Sequence, residues 1–163
     1  ARLRLYEMLE ASNGEALYND TDSVIALIPR DSNPFSSMIG DSLGQLTDET
    51  AGKEIQKACF GGPKQYALEL KDNESGEISY IHKLRGVVMD AAASEIINFQ
   101  SFHDRVMETT TEPLVTERKT LKRKATSVRT IFEKKKYDPV NEKGYRHSDN
   151  RIYPFGYEQP RDC

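Results

Sequence analysis

The sequence has few cysteines and no long apolar run. Two cysteines in 163 residues, Cys59 and Cys163, are too few for a disulfide framework, which favours a reducing compartment. No stretch approaches the roughly 18 apolar residues of a transmembrane helix, so we expect no membrane partner. Residues 1–5 lack both an initiator Met and the apolar core of a signal peptide. We therefore expect an intracellular protein, with nucleus and mitochondrion both open as compartments.

Several catalytic signatures are also absent. His82, His103 and His147 have neither mutual nor cysteine spacing suited to zinc. There is no Gly-x-Ser-x-Gly nucleophile motif, and the run at residues 61–64 lacks the spacing and the hydroxyl residue of a phosphate-binding loop. These absences argue against zinc, serine-hydrolase and P-loop chemistry.

The average charge conceals a basic segment. The chain is 37% hydrophobic and 30% charged with a net charge of -3, typical of a polar globular protein that does not announce a nucleic-acid partner. Its length fits one modest domain and excludes a large multidomain enzyme. Residues 113–136, however, carry a local net charge of +7. The nine basic residues are Arg118, Lys119, Lys122, Arg123, Lys124, Arg129, Lys134, Lys135 and Lys136.

The hydrophobic pattern of the first third predicts a helix, a hairpin and a loop. Residues 1–11 read as a helix. Residues 16–18 and 23–28 read as two strands around a polar turn at 19–22, the second strand being apolar enough to be covered on both faces. Residues 29–46 read as a loop rich in Pro, Gly, Ser and Asn. The predicted helix buries a stripe of Ala1, Leu5, Met8 and Leu9.

The middle third predicts a second helix, a second hairpin and a short third helix. The helix covers 48–60, starting at Thr47 with acidic residues in its first turn, and its stripe is Ala51, Ile55, Ala58 and Cys59. A period of two then predicts strands over 66–71 and 78–84 around a turn. Residues 90–98 read as a short helix. A composition shift near residue 87 predicts a boundary between a β-rich part and an irregular, basic part.

Two carboxylates stand close together at the first predicted turn. Asp20 and Asp22 are separated by one residue, and paired carboxylates on a rigid hairpin favour a hard, oxygen-seeking cation. An ordinary polar turn is the alternative, because Asn and Asp are common in turns. An EF-hand is disfavoured, since its glycine and distal Glu are not in place.

The residues around this turn resemble a known motif. Tyr-x-Asp-Thr-Asp-Ser at residues 18–23 is similar to the third palm motif of family B DNA polymerases. Further segments in matching order resemble the protein-primed branch, which includes polymerases of viruses, organelles, linear plasmids and large self-synthesising (Maverick/Polinton-type) transposons. They are Leu43–Glu49, Gly61–Ala67, Lys83–Gly86, and a closing stretch with Tyr137, Val140, Lys143 and Tyr153–Tyr157.

The resemblance implies deoxynucleotide transfer to a primer 3′-hydroxyl by two Mg²⁺ ions in the complete enzyme. Asp22 would be the direct metal ligand and Asp20 a weaker partner, both counted as catalytic. Tyr18, Thr21 and Ser23 would support the motif. The implied partners are primer-template DNA, deoxynucleoside triphosphates and a terminal protein that serves as primer.

The resemblance also implies a DNA contact. Lys64 and Tyr66 match the Lys-x-Tyr pair that holds the primer-template, and Lys83 and Arg85 match a basic turn one strand later. The pattern alone allows a core Tyr66 and ordinary surface cations at the other three positions. The basic segment at 118–136 fits a thumb that grips duplex DNA. Its alternative is a solvated or disordered run, although Val128, Ile131 and Phe132 interrupt the charges as a packed element would.

The expected fold is α+β. Antiparallel strands of a polymerase palm would carry the carboxylate hairpin at their centre, packed on helices 1–11 and 48–60. We expect palm residues over 1–87 and a thumb-like region over 88–163, with an incomplete sheet and an exposed strand edge.

The sequence also departs from the family. An earlier Asp motif and a Lys-rich fingers helix are missing, and Asp41–Gly44 only superficially resembles the former. We therefore expect a C-terminal polymerase fragment, left by a truncated gene prediction or a decaying mobile element, that is inactive alone. The alternatives are a non-catalytic DNA-binding remnant and an inert, poorly folded fragment.

Overall fold

The chain is mixed α+β, and its sheets are antiparallel. The computed structural model describes residues 2–29, 31–139, 144–147 and 152–154. The helices are α1 (Arg2–Ala11), α2 (Ala91–Ile96) and α3 (Phe99–Val106). The strands are β1 (Ala16–Asp20), β2 (Ser23–Ala26), β3 (Glu54–Gly62), β4 (Gln65–Lys71), β5 (Ile78–Lys83), β6 (Leu114–Lys124), β7 (Ser127–Tyr137), β8 (Gly144–Arg146) and β9 (Ile152–Pro154). The α+β class predicted from the sequence is confirmed at this level.

Two compact units divide the chain. The first comprises Ala1–Ile55 and Leu70–Ile78, and the second comprises Gln56–Glu69 and Ser79–Cys163. The predicted boundary at residue 87 falls inside the second unit, so the division into a palm part and a thumb part stays a prediction. In the described part of the chain no helix has the length and hydrophobicity needed to cross a membrane.

The first unit contains α1 and the β1–β2 hairpin, as predicted. Met8 of α1 is buried, and the helix packs against β2. The expectation that the second strand is covered on both faces is wrong. Within the described residues β1 and β2 pair only with each other, so the hairpin is not the centre of a larger sheet, and β2 is at best half-buried. Of the predicted helix stripe, Leu5 and Leu9 are half-buried, while Ala1 lies outside the described residues.

The predicted loop at 29–46 is confirmed, apart from a short 3₁₀ turn at Ser36–Met38 and a bridge between Ile39 and Leu46.

The predicted helix at 48–60 is wrong. Asp48 accepts hydrogen bonds from the backbone N–H and hydroxyl of Thr50 (2.8 and 2.6 Å) and from the N–H of Gly52 (3.0 Å), closing a turn. Burial opposes the shift, but these bonds together lower the pKa of Asp48. Ala51 and Gly52 then adopt left-handed backbone (φ 54° and 78°), which a helix does not tolerate, and β3 follows.

The second hairpin is confirmed, and β3 joins it. The three strands form one sheet in the order β3-β4-β5, with a two-residue turn of Pro63 and Lys64 between the first pair. The predicted alternation holds only in part: Leu68 and Leu70 are buried as expected, but Ala67 on the opposite face is fully buried as well. Both faces of β4 are therefore partly covered, as expected for the middle strand.

The core of the second unit packs helices α2 and α3 together with sheet residues. The predicted short helix at 90–98 is confirmed as α2, with Asp90 as its N-cap, whereas α3 was not anticipated. Gly61 lies against this core, because a Cβ there would come within 2.8 Å of the Tyr137 hydroxyl and 3.1 Å of Phe102. Burial raises the pKa of Tyr137 above its ordinary value. The buried core residues are Cys59, Ala67, Leu84, Ile97, Phe102, Val106 and Tyr137.

The basic segment folds as a long antiparallel ribbon of β6 and β7, paired from Leu114–Tyr137 to Lys124–Ser127. The expectation of an irregular region is therefore wrong for residues 114–137, and so is the alternative of a disordered run, whereas the alternative of a solvated run is not contradicted. In the closing stretch, β8 pairs with β9. Val140, Lys143 and residues 155–157, which carried part of the family resemblance, lie outside the described residues.

Arg105 of α3 connects the two chain segments at the base of this ribbon. Its guanidinium donates to the carbonyl oxygen of Thr110, ahead of β6, at 2.9 Å and to the carboxylate of Asp138, just after β7, at 2.5 Å. The Arg105 side chain is only 13% exposed, so solvent screens this ion pair less than a surface pair.

Replacing Arg105 with methionine should destabilise the base of the ribbon. Methionine keeps the apolar stem but leaves the Thr110 carbonyl and the Asp138 carboxylate without their donor. We expect the free energy of unfolding to fall by about 1–3 kcal/mol, measured by urea denaturation. Arg2→Met, at an exposed position of α1, is the control. An unchanged midpoint for Arg105→Met would contradict the fastening role.

Candidate functional site

The two carboxylates lie at the tip of the β1–β2 hairpin. Asp20 pairs with Ser23, so Thr21 and Asp22 alone form the turn, and the predicted four-residue turn is shorter by two. The N–H of Asp22 donates to the Asp20 carbonyl oxygen at 2.6 Å, and the Ser23 hydroxyl donates to the same oxygen at 3.2 Å. Asp22 is exposed, whereas Asp20 is half-buried.

Thr21 is held in a strained backbone conformation between the carboxylates. Its φ is 58°, a left-handed value that a β-branched residue rarely adopts. Its hydroxyl donates to Oδ1 of Asp20 at 3.0 Å and so orients that carboxylate. Glycine would be the easier residue here if the turn only connected two strands. Such strain concentrates at functional sites, where other requirements fix the residue.

Carboxylate and hydroxyl oxygens are ligands of the kind that Mg²⁺ accepts. The donor set at the hairpin tip, Asp22 with Asp20 beside it, therefore suits a hard cation. Within the residues that the structure describes, no group of three or more His, Cys, Asp or Glu side chains gathers as metal ligands. The turn itself presents two carboxylates, those of Asp20 and Asp22.

Lys64 also occupies a position that favours glycine. It follows Pro63 in the turn between β3 and β4 with φ at 61°, the left-handed value that the third residue of a type II turn requires. Lys64 is exposed at this turn. The contact of Lys64 with DNA stays a prediction.

Lys83 and Arg85 lie at the same end of the sheet as Lys64. Strand β4 begins just after Lys64, and the neighbouring antiparallel strand β5 ends at Lys83, so the two ends adjoin. Arg85 follows in a turn closed by the Val87 N–H and the Leu84 carbonyl oxygen at 3.2 Å. Both cations are exposed. The topology therefore brings three of the four predicted DNA-binding residues to the same end of the sheet.

Tyr66 is half-buried, so its burial does not distinguish a core residue from a DNA contact. It is the second residue of β4 and therefore belongs to the same end of the sheet as Lys64. This cluster belongs to the second unit, whereas the carboxylate turn belongs to the first.

The β6–β7 ribbon exposes most of its cations. Its strands are paired without a bulge, so alternate residues project to opposite faces. One face is partly buried near its base, where Thr116 is buried and Arg118, Thr120 and Ile131 are half-buried. The cations nearest the tip are all exposed: Lys122, Arg123, Lys124 and Arg129.

The other face of the ribbon mixes cations with exposed apolar side chains. Leu121, Val128 and Phe132 are 72%, 64% and 69% exposed, and their register partners are Thr130, Arg123 and Lys119. The expectation that Val128 and Phe132 pack is therefore wrong. Side chains alternate along a strand, and both residues project from the exposed face of the ribbon instead of the partly buried one. Ile131, on the other face, is half-buried. The apolar residues of 114–137 follow no period of two, so the sequence pattern did not indicate the ribbon.

Comparisons of the chain with protein-family models, with curated proteins and with solved structures find no match.

Proposed function

We propose that this chain is the C-terminal palm and thumb portion of a protein-primed family B DNA polymerase, which transfers deoxynucleotides to a primer 3′-hydroxyl. The tight hairpin that holds Asp20 and Asp22 around a strained Thr21 carries the proposal. Two basic surfaces for DNA phosphates support it. One is the end of the sheet with Lys64, Lys83 and Arg85, and the other is the β6–β7 ribbon.

In this proposal Asp22 and Asp20 hold a divalent ion. That ion, when bound, stabilises negative charge on the triphosphate and favours deprotonation of the primer hydroxyl. Thr21 orients the Asp20 carboxylate through its hydroxyl, and Ser23 and Tyr18 stabilise the turn and its strand. Lys64 and Tyr66 position the primer-template, with the ammonium on a phosphate or a minor-groove acceptor and the phenol supplying an apolar face and one hydroxyl. The incoming triphosphate would bind to residues outside this chain, because the fingers motif is missing.

Metal binding at the turn tests the catalytic part of the proposal. Mn²⁺ broadens NMR signals of nearby nuclei, so titrating it into the protein should first broaden the amides of residues 20–23. Asp22→Asn removes the exposed carboxylate charge, and we expect the Mn²⁺ affinity of the turn to fall at least about tenfold. Asp41→Asn, at another exposed loop aspartate, should leave the broadening unchanged. Equal broadening in the Asp22→Asn protein would contradict the metal role.

The coding sequence ahead of residue 1 tests the polymerase assignment itself. We expect it to encode the earlier Asp motif and the Lys-rich fingers helix. A transcript without these motifs would contradict a working enzyme.

The exposed ribbon favours a second candidate, a non-catalytic DNA-binding remnant of a mobile-element polymerase. This candidate requires salt-dependent DNA binding that Asp22→Ala leaves unchanged. It fails if the chain has no affinity for primed DNA at low salt.

A further inference from the structure

A row of aromatic rings crosses one face of the second unit. His82 and Tyr80 of β5 are stacked with ring centroids 6.2 Å apart. Phe99 at the start of α3 lies 6.4 Å from Tyr80, and His103, one turn later, lies 6.4 Å from Phe99 in a nearly parallel orientation (16°). Four rings from two elements therefore form a continuous series, of which Tyr80 is 52% exposed.

A cleft of about 550 Å³ opens over three rings of this row, Tyr80, Phe99 and His103. It is lined by Lys57, Glu69, Tyr80, Phe99 and His103, together with residues of β3 and the start of α3. A volume of this size is within the range of small-ligand sites. The α3 N-terminus itself is capped by Asn98 and Ser101, so the rings and the lysine are what the cleft presents to a ligand.

The charges in the cleft indicate whether its ligand is a cation or an anion. Glu69 pairs with the Lys57 ammonium at 2.9 Å and accepts a hydrogen bond from the Tyr80 hydroxyl at 3.2 Å. A cation-binding site would need this carboxylate for its ligand, but Lys57 already neutralises it and lies 6.0 Å from the Phe99 ring centroid. The Lys57 side chain is 62% exposed, so an anion at the rim can reach its ammonium in competition with the Glu69 carboxylate.

Flat rings with one accessible ammonium match a planar aromatic group that carries a phosphate. Burial lowers the pKa of His82, which favours its neutral ring beside Tyr80. Base stacking on aromatic side chains tolerates any sequence, because every base has a π-face, and a nearby cation contacts the backbone.

We propose that this cleft binds an unpaired nucleobase and its phosphate, with the base on the Tyr80 and Phe99 rings and the phosphate at Lys57. The base comes from single-stranded DNA or from a free nucleotide. The choice of DNA as a source rests on the proposed function, whereas the stacking site does not. Of the residues that line this cleft, the sequence motifs considered only His103, as a zinc ligand, and set it aside.

Fluorescence anisotropy with the full chain tests the stacking site. The probe is a labelled eight-nucleotide oligo(dT), compared with an abasic oligomer of equal length and charge. We expect Tyr80→Ser to weaken oligo(dT) binding about tenfold and to leave the abasic oligomer unaffected. Tyr80→Phe keeps the ring and should bind within about twofold of the unaltered chain. Tyr6→Ser, at a 57% exposed tyrosine of α1, is the matched control.

A second measurement separates this inference from the proposed function. Saturation-transfer NMR with deoxythymidine monophosphate should show contact from the thymine ring, and Tyr80→Ser and His103→Ala should each reduce it. Duplex binding that persists while Tyr80→Ser leaves both oligo(dT) and nucleotide binding unchanged would overturn the cleft assignment alone. Nucleotide contact without any affinity for duplex or single-stranded DNA would overturn the polymerase proposal and leave the cleft standing.

Discussion

Replacing Lys122 and Arg129 with serine is expected to weaken binding to duplex DNA by about 10- to 100-fold at physiological salt. The two residues are register partners near the ribbon tip, and both are exposed. Each cation that meets a phosphate releases a condensed counterion, so the logarithm of affinity depends linearly on the logarithm of salt concentration. Losing two such contacts should reduce the slope of that line by about 2.

The matched control removes the same charge elsewhere. Arg2 and Lys71 are exposed cations of the first unit, and the double serine variant at these positions changes the net charge equally. If binding depended on net charge alone, the two double variants would behave alike. Equal salt slopes for both variants, measured by anisotropy from low to high salt, would therefore remove the ribbon from the DNA interface.

Three ion pairs limit how much the remaining ribbon cations contribute to DNA binding. Within the described part of the ribbon and its flank, the pairs join Lys134 to Glu117 (3.6 Å), Lys135 to Glu133 (3.4 Å) and Lys136 to Asp138 (3.8 Å). A phosphate must compete with a carboxylate at these three lysines. None of these ion pairs involves the four tip cations Lys122, Arg123, Lys124 and Arg129. The tip should therefore supply most of the salt dependence.

The hairpins and first helix could be predicted because their patterns are local. Residues 66–71 and 78–83 alternate in the period of a strand around a turn rich in Asp, Asn and Gly, and such a turn fixes the pairing. The carboxylate turn was found in the same way. Its strained Thr21 and the positive φ of Lys64 could not be seen, because neither residue type favours that backbone conformation.

The failures have tertiary causes. The spacing of Ile55 and Cys59 fits a helix, but β3 pairs with β4 and places Cys59 in the core of the second unit. Short apolar runs do not distinguish helix from strand by periodicity alone. In the ribbon, charged residues outnumber apolar ones and the apolar residues follow no period of two, so the strands had no sequence signal. The cleft lined by Tyr80 and Phe99 was beyond prediction because its residues come from elements far apart in sequence.

Phenylalanine-to-alanine substitutions at two positions should differ strongly in their effect on stability. Phe102 is fully buried in the second unit, where its ring stacks on Tyr137 with centroids 5.5 Å apart. Removing it leaves a cavity against Tyr137, Val106 and Gly61 that a packed core refills only in part. We expect Phe102→Ala to reduce the free energy of unfolding by about 3–5 kcal/mol, measured by urea denaturation.

Phe132 provides the comparison, because the same substitution is made in the same unit. It is 69% exposed on the ribbon, so Phe132→Ala should change stability by no more than about 0.5 kcal/mol. The sequence pattern alone expected Phe132 to pack and made no prediction for Phe102. Should Phe132→Ala prove the more destabilising of the two, the exposed face of the ribbon would have to be covered in solution. The apolar row of Leu121, Val128 and Phe132 would then be a packing surface, and the DNA contact would be confined to the opposite face and the tip.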